Sequence, residues 1–253
     1  MKLGLEGKVA IITGGSRGIG YACAAEFLDE GAKVAIVSQN PERNAEAAKA
    51  LEAKASGRVI GIAADLEDRA AMDRVVAQTL KAFGQIDILV NCGAAIIDDD
   101  FFKLSEDGFA ALFENKLNGT AGLIRRVVPD MRKRKWGRII NFSGGAARTP
   151  RSARIGVGLN NAAVLTLTKA MATELAPDNI LVNAILPQGI ASERLAQAMA
   201  GATDAPPRKV TNPLGRAGTS EEVSGLVAFL ASNRASFITG AAFTVDGGAY
   251  PSI

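Results

Sequence analysis

The stretch Lys8–Gly31, KVAIITGGSRGIGYACAAEFLDEG, decides the fold. Val9, Ala10, Ile11 and Ile12 form a short apolar run of the kind that builds a strand buried on both faces. Thr13-Gly14-Gly15-Ser16-Arg17-Gly18-Ile19-Gly20 follows, and then a helical stretch with apolar Ala22, Ala25, Phe27 and Leu28. A strand, a glycine-rich turn and a helix N-terminus in that order make an anion site. Backbone N–H groups point outward, the helix dipole is positive there, and glycine lets a pyrophosphate approach closely. Glycine-rich turns that merely reverse the chain are common, but this one has the strand before it and the helix after it. The stretch predicts a dinucleotide site.

The rest of the chain sets the frame. At 253 residues, one α/β domain spanning 1–253 is expected rather than two small ones. Hydrophobic residues at 48% and charged residues at 22% fit a soluble globular protein. The formal net charge of +3 is too mild to argue for nucleic acid. Cys23 and Cys92 lie far apart and make no disulfide framework, which points to a reducing cytoplasm. The opening MKLGLEGKVAII lacks the apolar core of a signal peptide, and no stretch reaches the length of a membrane span. The chain has no histidine, which removes the commonest general base and the commonest metal ligand; no metal site is expected.

Strand-like runs alternate with helical stretches throughout, the pattern of a doubly wound parallel sheet with helices on both faces. The strands are expected at Val9–Ile12, Val34–Val37, Val59–Ile62, Ile86–Val90, Arg138–Phe142, Ile180–Leu186 and Ala242–Val245, seven in one sheet. Helices are expected near Tyr21–Glu30, Pro41–Ala55, Arg69–Phe83, Asp107–Lys135, Gly158–Ala176 and Ser220–Ala231. The segment 192–219, with Pro206, Pro207 and Pro213 among small residues, reads as a mobile substrate flap.

The second strand ends at Ser38-Gln39-Asn40. Sites selective for NAD place an acidic residue near here to bond the ribose 2′-hydroxyl, and none is present. Arg17, with Arg43, can pair with a 2′-phosphate, and Ser38 and Gln39 add neutral donors, so NADP(H) is favoured over NAD(H). Asp65-Leu66 follows the third strand, where a carboxylate can accept from the adenine amino group or cap the next helix.

These motifs, in this order over nearly the full chain, resemble the short-chain dehydrogenase/reductase family. Thr13 to Gly20 matches its TGxxxGxG turn, whose counterparts here are Gly14, Ser16, Arg17, Gly18, Ile19 and Gly20. Asp65-Leu66 resembles its adenine contact, and Asn91-Cys92-Gly93-Ala94 stands where the family has NNAG. Val182 to Ile190 resembles the stretch whose backbone meets the nicotinamide carboxamide, which brings in Pro187, Gly189 and Ile190. Asn212 to Arg216 and Ile238 to Gly248 complete the pattern. The resemblance implies a Rossmann-type domain, a nicotinamide cofactor, a small carbonyl or carboxylate substrate, and a homotetramer or homodimer.

The catalytic pattern departs from the family. Members use a Tyr-x-x-x-Lys pair, an earlier serine and an asparagine on the preceding helix; the tyrosine is general acid/base and the lysine tunes it and holds the ribose. Aligned on Ala162-Ala163-Val164, Val157 takes the tyrosine's place and Asn161 the lysine's. The serine's place falls on Gly144, beside Ser143, and Lys116 replaces the asparagine. Lysine and asparagine have thus exchanged walls of the site. This suggests that Lys116, Ser143 and Asn161 bind and polarise a carbonyl or carboxylate beside the nicotinamide, with Asn161 also among the cofactor contacts; a solvated Lys116 is the alternative. Arg148, Arg151 and Arg154 gather near the expected substrate, where Arg148 and Arg154 suit an anion unless the three face water or a neighbouring subunit, and Val157 would line it. Two functions follow: an NAD(P)-dependent oxidoreductase with atypical acid/base residues, or a catalytically inactive NADP(H)-binding sensor or partner subunit.

Overall fold

The computed structural model describes residues 2–93, 101–103, 105–150, 155–191 and 212–250. Seven strands form one sheet in the order β3-β2-β1-β4-β5-β6-β7, every neighbouring pair parallel. They are β1 Val9–Thr13, β2 Lys33–Ser38, β3 Val59–Ala63, β4 Ile88–Asn91, β5 Gly137–Phe142, β6 Ile180–Pro187 and β7 Ala242–Val245. The expected strands are all present; β4 opens at Ile88 rather than Ile86, although Asp87 just before it still donates its N–H to the Val9 carbonyl at 2.9 Å and accepts the Val9 N–H on its carboxylate at 2.9 Å.

Side chains along β1 alternate between two cores, as a strand's two-residue period requires. Ala10 and Ile12 join Phe27 and Leu28 of α1 (Gly18–Asp29) and Val223 and Val227 of α7 (Ser220–Ala231). Ile11 joins Val75 of α3 (Arg69–Phe83), Leu123 and Val127 of α5 (Gly119–Arg134) and Ala172 of α6 (Ile155–Leu175). The remaining helices are α2 (Pro41–Glu52) and α4 (Glu106–Phe113). Helices thus cover both faces.

Three local differences from the sequence reading have physical causes. α1 starts at Gly18 rather than Tyr21, so its first turn is the glycine turn itself. The helix expected over Asp107–Lys135 is broken by a π turn at Glu114–Asn118 between α4 and α5. Such turns insert one extra residue into a helix and cluster at functional sites; this one carries Lys116. Asp65 is not the helix cap: Asp68 is, accepting from the Ala70 N–H at 2.8 Å. Of the expected flap, residues 192–211 lie outside the described residues. Residues 212–219 lead into α7, whose N-cap Thr219 and Glu222 satisfy each other's backbone N–H groups.

The order of the sheet places the site. The chain leaves β3 at one edge and re-enters at β4 beside β1, so the crevice between the C-terminal ends of β1 and β4 is where a ligand fits an open α/β sheet. In register there stand Thr13 on β1, Asn91 on β4 and Asn141 on β5.

Candidate active site

The β1 side of the crevice is made of backbone. Gly14 sits at φ +66, and a Cβ on it would come within 2.8 Å of the Gly93 Cα, so two chains touch where β1 and β4 end. Thr13 locks that contact: its hydroxyl accepts from the Cys92 N–H at 3.0 Å and the Gly93 N–H at 2.9 Å. A Cβ on Gly20 would meet the Gly14 carbonyl oxygen at 2.3 Å, which seats α1 directly under the turn. Gly18, at φ +55, faces open space, and no side chain caps the N-terminus of α1. Outward N–H donors beneath open space fit a pyrophosphate. Ser16, Arg17 and Ile19 line the same turn, Arg17 exposed at its outer rim.

Beyond the ends of β2 and β3 the side chains are already engaged with one another. Ser38 Oγ accepts from Asn44 Nδ2 at 3.0 Å, and Gln39 Nε2 donates to Asp65 at 2.6 Å. Asp65 also accepts from the Glu67 N–H at 3.0 Å, which fixes the turn carrying Leu66. Asn40 caps α2 by accepting from the Arg43 N–H at 2.7 Å, and Arg43 is exposed. Arg17, Ser38, Gln39, Arg43 and Asp65 therefore stand on adjoining turns beyond β1, β2 and β3.

A buried amide chain crosses the sheet behind the site. Asn91 Nδ2 donates to Asn141 Oδ1 at 2.9 Å, and Asn141 Nδ2 to the Thr168 hydroxyl at 3.0 Å. Asn91 Oδ1 is buried with no partner among the described residues. An orphaned buried acceptor is costly, so it marks a place where a further donor belongs. The sequence reading named Asn91 but missed Thr13, Asn141 and Thr168; for Thr13 and Asn141 the signal was a polar residue near the end of an otherwise apolar strand, and Thr168 lies inside α6. On the far side of the crevice Pro187 ends β6, Gly189 takes φ +67, and Ile190 bridges to Gly218. With Gln188, Asn212, Arg216 and Glu222, Ile190 lines a small cleft.

The opposite wall is made of side chains from three elements. Lys116 of the π turn is half-buried, and its Nζ donates to Asn161 Oδ1 at 2.5 Å and to the Ser143 carbonyl at 3.5 Å. Asn161, on α6, is 3% exposed, and Ser143, just beyond β5, is 7% exposed. The Ser143 hydroxyl donates to the Asn161 carbonyl at 2.9 Å, so its hydrogen is committed to the backbone of α6. A Cβ on Gly144 would lie 2.8 Å from Asn161 Nδ2. The asparagine amide thus occupies the space that a side chain at 144 would need. Neighbouring Asn160 holds the wall together by donating to the Leu112 carbonyl at 2.6 Å.

Burial pulls the Lys116 ammonium down to about 8, with Cys92 acting weakly against that shift. Burial also pushes the Cys92 thiol up to about 12, so it stays neutral. Among the described residues no carboxylate lies within ion-pair distance of Lys116. The wall therefore presents a positive charge that no carboxylate among the described residues balances.

The substrate-side expectations divide. Val157 lies half-buried in the first turn of α6. Arg148 is exposed and turns toward β7, donating to the Ala242 carbonyl at 3.3 Å, while Arg151 and Arg154 lie outside the described residues. The basic run at the end of α5 is paired: Arg132 and Lys135 hold Asp178, and Arg134 holds Asp130. Tyr250 comes to the turn after Ser143, its hydroxyl lying where a Cβ on Gly145 would be. Tyr21 packs against the core under α1.

Comparisons with known proteins agree with this architecture. A family model described as enoyl-(acyl carrier protein) reductase matches residues 14–250. The chain is 32% identical to a 3-oxoacyl-(acyl-carrier-protein) reductase of Aquifex aeolicus over 250 residues, 99% of this chain and 100% of that one. It is also 32% identical to the (3E)-enoyl-CoA-producing peroxisomal 2,4-dienoyl-CoA reductase of Rattus norvegicus, over 98% of this chain and 86% of that one. Among solved structures, L-sorbose reductase of Gluconobacter frateurii, complexed with NADPH and L-sorbose, superposes over 100% of both chains with a TM-score of 0.94 and 32% identity.

Proposed function

The chain belongs to the short-chain dehydrogenase/reductase family, and from that membership we propose an NAD(P)-dependent oxidoreductase that prefers NADP(H) and acts on a small anionic carbonyl compound through Lys116, Ser143 and Asn161. The observation that carries the reading is the Lys116–Asn161 contact of 2.5 Å, which brings an ammonium and an amide together beside Ser143. A stranded, solvated lysine would make no such contact.

The nucleotide contacts follow from the crevice. The turn Gly14–Gly20 and the N-terminus of α1 hold the pyrophosphate, with Ser16, Gly18 and Ile19 offering backbone donors. Asp65 and Leu66 meet the adenine, Asn91 and Gly93 the adjoining ribose, and Pro187, Gly189 and Ile190 the carboxamide. Arg17, with Ser38 and Gln39, meets the 2′-phosphate; the NADPH complex of the sorbose reductase is in keeping with this preference. The bound nucleotide supplies or accepts a hydride.

The chain's own task is to place the substrate oxygen and stabilise the charge that develops on it. Lys116 brings positive charge to that oxygen, and Asn161 brings a directed N–H. Ser143 holds α6 at the correct distance. The charge of Lys116, with no carboxylate among the described residues to balance it, favours a substrate that is anionic or becomes so during reaction. Val157 leaves an apolar patch where the family's phenol stands.

The test is oxidation of NADPH and NADH against ketones and keto acids, followed by the absorbance of the reduced nicotinamide. Turnover faster with NADPH and with keto acids than with their neutral analogues is expected. Saturable NADPH binding without turnover of any of them would leave the sensor or partner-subunit reading instead.

A further inference from the structure

An ammonium carries three N–H bonds. Lys116 spends two of them, on Asn161 Oδ1 and on the Ser143 carbonyl, and the third meets no acceptor among the described residues. Its neighbours have no proton to lend. The Ser143 hydrogen is committed to the Asn161 carbonyl, the Asn161 amide does not ionise, and burial keeps the Cys92 thiol neutral. The other charged groups on the elements around the π turn stand back from it. Glu114 on the turn itself, Glu106 and Asp107 on α4, Arg125 on α5 and Lys169 on α6 are exposed, and Arg126 is taken up by Asp73 at 2.7 Å. Cys92 is the one group among the described residues whose charge reaches Lys116.

A half-buried cation without a carboxylate gains by losing its charge. Were a carboxylate beside it, departure of the proton would strand that anion instead. The hydrogen bonds point the same way. A neutral amine keeps two N–H bonds, and Lys116 has two protein acceptors to hold them. Its lone pair then lies where the third N–H was, so one proton can leave and return with no other bond disturbed.

Building on the oxidoreductase reading above, we infer that Lys116 is the general acid and base of the reaction, its third N–H giving the proton to the reduced carbonyl oxygen in place of the phenol whose position Val157 fills. The carbonyl carbon accepts the hydride, and the C=O π pair moves onto oxygen. That oxygen takes the proton from Lys116 Nζ as the N–H bond breaks, which leaves an alcohol and a neutral amine. The carbonyl is reduced, the nicotinamide is oxidised, and water returns a proton to the amine. Oxidation of the alcohol runs the same steps backwards. Burial pulls the ammonium down to about 8, so the two directions depend oppositely on pH. Reduction needs the proton in place, and oxidation needs the bare amine.

The test uses the full-length protein with the ketones and keto acids above. With NADPH, kcat/KM should be level below pH 8 and fall about tenfold per pH unit beyond it; with NADP⁺ and the matching alcohol it should rise as steeply up to pH 8. Profiles level through that pH in both directions would overturn the inference and leave the oxidoreductase reading standing. No turnover of any ketone or keto acid would overturn both. Lys116→Arg keeps the charge but cannot release a proton, and should lower kcat about 100-fold; a wild-type rate would make Lys116 a fixed charge and contradict the inference. Lys116→Cys alkylated with 2-bromoethylamine, beside wild type treated alike, rebuilds an amine of lower ordinary pKa. It should recover rate with its break at lower pH, and recovery with the break unmoved would contradict the inference. Tyr250→Phe should keep the wild-type profile; a loss as large as that of Lys116→Arg would make a phenol the proton source instead. A readout without nucleotide is acetylation of Lys116 by acetic anhydride, followed by peptide mass spectrometry. Half-maximal labelling near pH 8 is expected; labelling only near the ordinary lysine value of about 10.4, or at no pH, would contradict exchange of this proton with water.

Discussion

The two walls of the crevice are built by opposite means. On the β1 wall the chemistry belongs to backbone: Gly14, Gly18 and Gly20 clear space, and Thr13 ties the β4 end to the turn. On the β5–α6 wall it belongs to side chains from three elements, Lys116, Ser143 and Asn161, each satisfied by another. A backbone site tolerates almost no change where, as at Gly14 and Gly20, an added Cβ would meet main chain. A side-chain site can be rewired in pairs, provided the new partners still meet. The exchange of lysine and asparagine proposed for this site is a rewiring of that kind.

The largest way to break this contrast is on the glycine wall. Gly20→Val would drive its side chain into the Gly14 carbonyl, since even a Cβ lies at 2.3 Å. NADPH affinity should fall by roughly three orders of magnitude or more, at ~1.4 kcal/mol per tenfold. Circular dichroism should still report a folded chain if the damage is confined to the turn.

On the side-chain wall, Lys116→Met should lower kcat about 100-fold, the range for removing a charge-stabilising group. Its NADPH affinity should stay within a factor of about two. Parallel loss of affinity and rate would mean that the walls are not separable. A smaller effect is expected at the rim: Arg17→Ala should weaken NADPH about tenfold, the loss of one charge-assisted bond, and leave NADH unchanged. Equal weakening of both nucleotides would remove Arg17 from the 2′-phosphate.

The smallest effect is on stability and has a definite sign. The folded Lys116 holds its proton only up to about 8 against the ordinary 10.5. Below pH 8 folded and unfolded chains both carry the proton, and the burial penalty is fully felt. Between about 8 and 10.5 the folded chain sheds it first, so stability rises with pH across that window. The penalty is at most on the order of 3 kcal/mol. Lys116→Met should therefore raise Tm at pH 7 by a few degrees, at about 2–4 °C per kcal/mol for a chain of this size, and flatten the rise above pH 8. A lower Tm would show that the bond to Asn161 outweighs the buried charge.

Much of the fold was legible because strands buried on both faces are continuous apolar runs. Val9–Ile12 and Val34–Val37 announce themselves without any partner, and Arg69–Phe83 is bounded by Asp68 and Gly84, both cap residues. The π turn at Glu114–Asn118 left no such mark in the sequence. The glycine wall was legible for the same reason that it resists change: backbone contact demands glycine at fixed spacing. The other wall was legible only as an exchange of residues. That Nδ2 of Asn161 fills the space over Gly144, or that the Ser143 hydrogen is spent on α6, depends on distances between residues 17 or 18 positions apart. Arg148 shows the converse: its type suited the substrate, but its reach carried it to β7.

The most direct test of two independently built walls is titration of NADPH into the wild type and Lys116→Met side by side, each followed by a single-turnover measurement. Affinities that agree within a factor of about two, with the variant's hydride transfer slowed about 100-fold, are what the structure predicts. Equal single-turnover rates in the two proteins, or no NADPH association by the wild type, would contradict it.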